Sequence, residues 1–274
     1  MPSRTCIRKG FLALASVVSV MSCGAGVQAQ TAPAIRALAS GTPASAIYIG
    51  NSFFYYNNGI HSQVGQLVAA SDGRRRMRGT MVTISGSGMD WHDIDTYFRP
   101  NAIASYSFTQ KNEIVFNRLN KLFDVAVIMD CSQCPIHPKL QSVFHDFAKK
   151  NADSVRRHNA EPVLFMSWAY ADKPEMTAEL AEQYTIAGNA NRALVIPAGL
   201  AFARAIAKQP EINLYAPDKR HPSPAGTYLA ACTVYASLFK QSPEGLAYSA
   251  SLDAATAAFL QTVAWETVQA YHGP

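Results

Sequence analysis

The chain has 274 residues, is 49% hydrophobic, and carries 24 basic against 19 acidic residues, a formal charge of +5. Three of those bases, Arg4, Arg8 and Lys9, sit in a leader with no acid, which leaves 21 against 19 and a net charge of +2. That balance gives no electrostatic case for nucleic acid or an anionic membrane as partner. The remaining residues, about 245, suit one α/β-sized domain with a substantial core.

The leader comes first in chain order. Arg4, Arg8 and Lys9 form a basic region, and residues 11–21 an apolar stretch too short to span a bilayer comfortably. Val27-Gln28-Ala29 has the small residues of a cleavage site, so residues 1–29 are expected to be a signal peptide and Gln30 the mature start. Val20-Met21-Ser22-Cys23 offers a second route, lipidation at Cys23. Either route exports the chain, to the periplasm or beyond it; simple cleavage leaves no membrane insertion, whereas lipidation anchors the chain through Cys23. Residues 30–44, rich in Ala, Pro, Thr and Ser, read as a flexible lead-in, and residues 45–274 as a single domain.

Within that domain short apolar runs alternate with helical patterns. Strands are expected at 46–50, 81–85, 124–129, 162–167 and 193–197, bounded by Gly, Pro, Ser or Asp. Helices are expected at 60–71, 113–122, 140–159, 175–189, 200–208, 225–239 and 253–271. The alternation implies an α/β fold, a three-layer α/β/α sandwich on a five-stranded, mainly parallel sheet. In such sheets ligands bind beyond the carboxyl ends of the strands. The Arg74-Arg75-Arg76-Met77-Arg78 cluster reads as a solvated loop.

Cys131-x-x-Cys134 follows the third strand and precedes Pro135. In an exported chain this pair is expected to close a small disulfide, with Cys232 buried in a late helix. A redox role would need the motif at a helix start near the N-terminal strand. Cys131, Cys134 and His137 lack the fourth ligand of a structural zinc site, so no metal and no cofactor is expected.

The run Asp218-Lys219-Arg220-His221-Pro222-Ser223-Pro224-Ala225-Gly226 carries the clearest chemistry. Two prolines keep the segment out of regular helix, so Asp218 can orient the His221 ring three residues on. Ser223 reads as the N-cap of the following helix and Pro224 as its first residue. The nucleophile must come from elsewhere, and Ser52, at the exit of the first strand in Gly50-Asn51-Ser52-Phe53, is the candidate. It is not a nucleophile elbow, because position 54 is Phe and not Gly.

Gly50-Asn51-Ser52, Gly86 and Asp218-x-x-His221-Pro222-x-x-x-Gly226 resemble the first, second and fifth blocks of the SGNH (GDSL-like) hydrolases. The likeness is to a bacterial branch with a Gly-Asn-Ser-Phe nucleophile block, and it spans residues 47–246. It implies a flavodoxin-like SGNH fold and an esterase or deacetylase acting on a small-molecule or carbohydrate ester, O-acetyl groups included. Ser52 would attack, His221 would move the proton, Asp218 would orient His221, and the amides of Ser52 and Gly86 would form the oxyanion hole. The family's amide side chain after the third strand has no matching Asn in Met129-Asp130-Cys131-Ser132-Gln133-Cys134. Either Gln133 supplies that third donor or the hole is short of one.

Around this triad Asn51, His92, Ser132 and Trp168 are candidate substrate contacts, His92 equally a helix-start residue bonded to backbone. Of Phe53, Phe54, Tyr55 and Tyr56, two are expected in the core and two on the cleft wall. Two other readings remain. One is a weak or inactive SGNH-fold binding protein, motivated by the missing amide. The other is a thiol-dependent protein using Cys131 and Cys134, with His137 or His92 as base.

Overall fold

The computed structural model describes Met1 and residues 31–73, 75–99, 102–103, 105–117, 119 and 121–273. The expected signal peptide, the lipidation site Cys23, the start at Gln30 and Arg74 lie outside them.

Five parallel strands form the sheet: β1 (Ser45–Gly50), β2 (Arg78–Thr83), β5 (Val125–Ile128), β6 (Glu161–Phe165) and β7 (Leu194–Ile196), in the order β2-β1-β5-β6-β7. Each central strand is buried on both faces, which is why it reads as an unbroken apolar run. Tyr48 of β1 points into one core and Ile47 and Ile49 into the other. The first core is closed by α2 (Ile60–Ser71), α6 (Ala198–Lys208), α7 (Pro224–Phe239) and α8 (Ala254–His272). The second lies under α3 (Ile94–Tyr97), α4 (Gln141–Arg157) and α5 (Met176–Ala190). This is the expected three-layer α/β/α sandwich, with a sheet that is wholly parallel.

One expected helix is absent. The described residues of 113–122 do not form it; β4 (Ile114–Phe116) pairs antiparallel with β3 (Tyr106–Phe108). The β-branched and aromatic residues of this stretch favour a pleated ribbon. Asn112, at φ 61°, turns the chain, and Thr109 Oγ1 accepts from the Lys111 and Glu113 amides. The ribbon leaves Tyr106, Phe108, Ile114, Val115 and Phe116 exposed.

The stretch expected as a flexible lead-in makes hydrogen bonds over its described length. Thr31 bonds Glu182, the Ala34 amide donates to Asn189 Oδ1, and the Ala39 and Ser40 amides donate to the Glu161 carboxylate. Among the described residues no helix is long and apolar enough to cross a membrane.

The first turn of α7 is pressed against the strand-like segment before it. A Cβ at Gly226 would stand 2.2 Å from the Leu214 carbonyl oxygen and 3.0 Å from Phe202 Cζ. Gly226→Ala is therefore expected to destabilise the fold by roughly 1–3 kcal/mol through overpacking. The lowered urea midpoint of the variant would report it; an unchanged midpoint would mean that the helix start yields freely.

Candidate active site

The sheet brings its carboxyl edge, and so the loops that leave it, to one side. Asn51 caps α1 (Ser52–Tyr55), its side chain accepting from the Phe53 amide, and this sets Ser52 as first helical residue directly after β1. The first amides of a helix have no intrahelical acceptor. Gly86 sits in the turn after β2 at φ 72°, a conformation that favours glycine. Among the described residues no backbone carbonyl accepts from the amide of Ser52 or of Gly86.

From the other end of the chain, residues 218–221 close a tight turn with Lys219 at φ 65°. Asp218 Oδ1 accepts the Arg220 and His221 amides at 2.9 and 3.0 Å, and Asp218 Oδ2 lies 2.5 Å from His221 Nδ1. His221 Nε2 is 2.8 Å from Ser52 Oγ. The hydrogen bond from His221 holds the Asp218 carboxyl down at about 2, so it is ionised at neutral pH and accepts the hydrogen bond from Nδ1–H. Nε2 of the neutral ring is then the acceptor for the Ser52 hydroxyl.

Aromatic residues fix this imidazole. Tyr56 stacks on it with centroids 4.2 Å apart, and Phe53 meets it edge-on at 5.6 Å. Phe53 and Phe54 are buried, while Tyr55 reaches solvent and Tyr56 is half-buried; of the four, Phe53 borders the cleft and neither tyrosine does.

Three expected substrate contacts are structural. Trp168 is fully buried between Phe53 and Phe202, stacked on each, and its Nε1 donates to the Arg220 carbonyl at 3.0 Å. It thus props the His221 turn from beneath. Asn51 borders the cleft, yet its Nδ2 donates to the carbonyls of Ser87 and Asp130, joining three strand exits. His92 is buried, with Nε2 3.0 Å from Ser87 Oγ and 3.2 Å from the Gly50 carbonyl oxygen, and Nδ1 3.0 Å from Tyr97 Oη. Burial lowers its pKa, which favours the neutral ring. These side chains fill their hydrogen-bonding capacity within the protein.

The cleft itself, about 230 Å³, is lined by Ser52, His221, Gly86, Cys131, Ser132, Tyr170 and Arg220. Ser132 Oγ is 2.6 Å from Tyr170 Oη, and the Arg220 guanidinium lies 4.1 Å over the Tyr170 ring. Tyr170 and Arg220 were not singled out from the sequence; their only signal was position, next to Trp168 and His221. Gln133 does not line the cleft. It precedes the short 3-10 turn Cys134–Ile136, in which Pro135 is buried. Cys131 and Cys134 are joined in a disulfide, so neither offers the thiolate that the thiol reading requires. Cys232 is buried in α7.

No family model matches the chain, and neither does any curated protein. Solved structures do. A DUF4886 family protein from Bacteroides uniformis aligns at TM-score 0.60 and 17% identity, over 84% of this chain and 96% of its own. A "putative SGNH hydrolase" from Slackia heliotrinireducens aligns at 0.52 and 21%, over 70% and 97%. A catalytic mutant of an acetylxylan esterase from Geobacillus stearothermophilus aligns at 0.50 and 16%, over 71% and 93%. The fold is that of the SGNH hydrolases.

One carboxyl beside the cleft is unusual. Asp130, at the β5 exit, is 3% exposed, and burial pushes its pKa up to about 6 even though Oδ1 accepts the Met89 amide at 2.7 Å. The folded state therefore holds this proton more tightly than the unfolded chain does, so the stability it contributes is present at low pH and is lost as pH rises through about 6. Relative to Asp130→Asn, the wild type is expected to lose on the order of 2–3 kcal/mol between pH 4 and 7. Urea titrations of both proteins across that range measure it; parallel curves would rule it out.

Proposed function

We propose that this chain is an exported serine hydrolase that cleaves carboxylic esters, with O-acetyl groups on carbohydrate as its substrate class. The observation that carries the reading is the continuous relay from Asp218 through both nitrogens of His221 to Ser52 Oγ, with links of 2.5 and 2.8 Å. The acetylxylan esterase among the structures of this fold supports the substrate class.

In this mechanism Ser52 Oγ attacks the acyl carbon as its proton passes to His221 Nε2. The ring becomes an imidazolium that ionised Asp218 stabilises through Nδ1–H. The negative charge on the carbonyl oxygen develops toward the Ser52 and Gly86 amides, each worth on the order of 3 kcal/mol in such a hole. Collapse of the tetrahedral intermediate expels the alcohol oxygen, which takes the proton from Nε2. Water then repeats the sequence on the acyl-serine, with His221 again as base, and releases the acid.

Gln133 does not border the cleft, so this reading counts two backbone donors in the hole and no side-chain amide. A missing donor typically costs about 100-fold in rate. That observation favours a second reading, a binding protein on a hydrolase frame. Labelling with a fluorophosphonate probe separates the two: the wild type is expected to label, and Ser52→Ala and His221→Ala to lose labelling, with p-nitrophenyl acetate hydrolysis down by at least about 10⁴-fold. Labelling that survives Ser52→Ala would overturn the nucleophile assignment. Absent labelling and absent hydrolysis in the wild type would select the binding protein.

Export rests on the basic and apolar leader. N-terminal mass spectrometry of the chain expressed in a Gram-negative host is expected to read a start at Gln30; a diacylglyceryl start at Cys23 would indicate the lipoprotein route instead, and an intact Met1 would rule out both.

A further inference from the structure

Beside the cleft a second hollow, about 220 Å³, shares Gly86 and Cys131 with it. Its wall carries three side chains that the relay does not use: Trp91, Asp90 and Asp130. Trp91 is 60% exposed, a large apolar ring in solvent, whereas Trp168 is wholly buried in the core. Trp91 thus puts an exposed aromatic ring on the wall of a concave hollow, the setting in which aromatic side chains line ligand sites.

The two carboxyl groups are brought together by a specific local device. Gly88 has no side chain, and a Cβ there would stand 2.6 Å from Asp90 Oδ1 and 2.8 Å from Asp130 Oδ1. Any larger residue would displace one of them. No lysine or arginine lines the hollow, and among the described residues no group of three or more His, Cys, Asp or Glu side chains could hold a metal ion. The hollow thus offers hydrogen-bond acceptors set beside a flat aromatic face. A saccharide ring is complementary to that combination: its axial C–H face packs on an indole while its hydroxyls donate to carboxylates.

We propose that the Trp91–Asp90–Asp130 hollow is a saccharide subsite, which seats a sugar ring of an O-acylated carbohydrate whose ester carbonyl reaches Ser52. The subsite rests on the ester-hydrolase reading for its catalytic consequence, though not for its binding. Trp91 supplies the platform. Asp90, at the rim, accepts a ring hydroxyl, and buried Asp130 shapes the floor through its bond to the Met89 amide.

Two measurements test it and keep its failure apart from that of the hydrolase reading. Binding of unacylated xylo-, manno- and N-acetylglucosamine oligosaccharides is read by calorimetry on Ser52→Ala, which needs no catalysis. At least one series is expected to bind, and Trp91→Ala and Asp90→Asn to weaken it about tenfold each, the scale of one aromatic contact or one charged hydrogen bond. Both side chains are exposed, so neither change should unfold the chain. Kinetically, Trp91→Ala should raise KM about tenfold for the acetylated form of the bound sugar while leaving kcat/KM for p-nitrophenyl acetate unchanged. No binding by any series overturns the subsite even if acetate esters are cleaved. Binding lost in Asp90→Asn but kept in Trp91→Ala overturns it too, since the indole would then be no platform for the ring. Oligosaccharide binding without any ester cleavage upholds the subsite and removes the hydrolase.

Discussion

The carbonyl oxygen of Gly50 is the point at which the site is tied together. It accepts from the Ile84 amide at 3.0 Å and from Ser87 Oγ at 3.1 Å, and His92 Nε2 lies 3.2 Å away. Ser52 follows two residues later, and Gly86 lies between two of the donors. One acceptor at the end of a central strand thereby ties Ser52 to the turn that holds Gly86. Such a hub must be buried, because water would otherwise compete for each bond, and a larger residue at Gly50 would need its neighbours to give way. A Cβ there would crowd the Phe54 ring at 3.1 Å and Met129 Cε at 3.2 Å. The loop after β2 is rigid for the same reason: it is bonded to β1 and, through Asn51, to the β5 exit.

The layered fold was legible because parallel strands buried on both faces leave a plain mark, the continuous apolar runs at residues 46–50, 125–128 and 162–165. Helix starts were equally plain where capping chemistry decides them. Ser223 caps α7 and Asp253 caps α8, each accepting an amide three residues on. The sequence misled at residues 113–122, where the apolar residues of β4 turn outward to solvent rather than toward either core. Apolar residues usually report the core, and this ribbon breaks that inference by exposing them.

The site was legible in part. Asp218 and His221 were readable because the prolines around them confine the backbone to a turn in which both side chains face one way. The polar residues nearest the nucleophile were harder to place, since Asn51 and His92 could equally serve the substrate or the frame. Burial decides this, and burial is a property of the packed sheet rather than of the local sequence. Trp168 follows the same logic: its indole N–H finds a carbonyl inside the protein, so the ring has no reason to reach the cleft. Tyr170 and Arg220 form the outer wall only because segments 48 or more residues apart in sequence meet there, as in the Arg220 ion pair with Asp172 at 2.8 Å.

The exposure of Asp218 has a consequence for ionic conditions. Its side chain is 44% open to solvent, against 24% for His221. A carboxylate in that position is screened by counterions and surrounded by high-dielectric water, so its charge contributes little over distance. What survives screening is direction. The Arg220 and His221 amides hold the carboxylate, Tyr56 holds the ring, and both act at contact range. The Asp218–His221 pair is therefore expected to keep its geometry at high and low ionic strength alike.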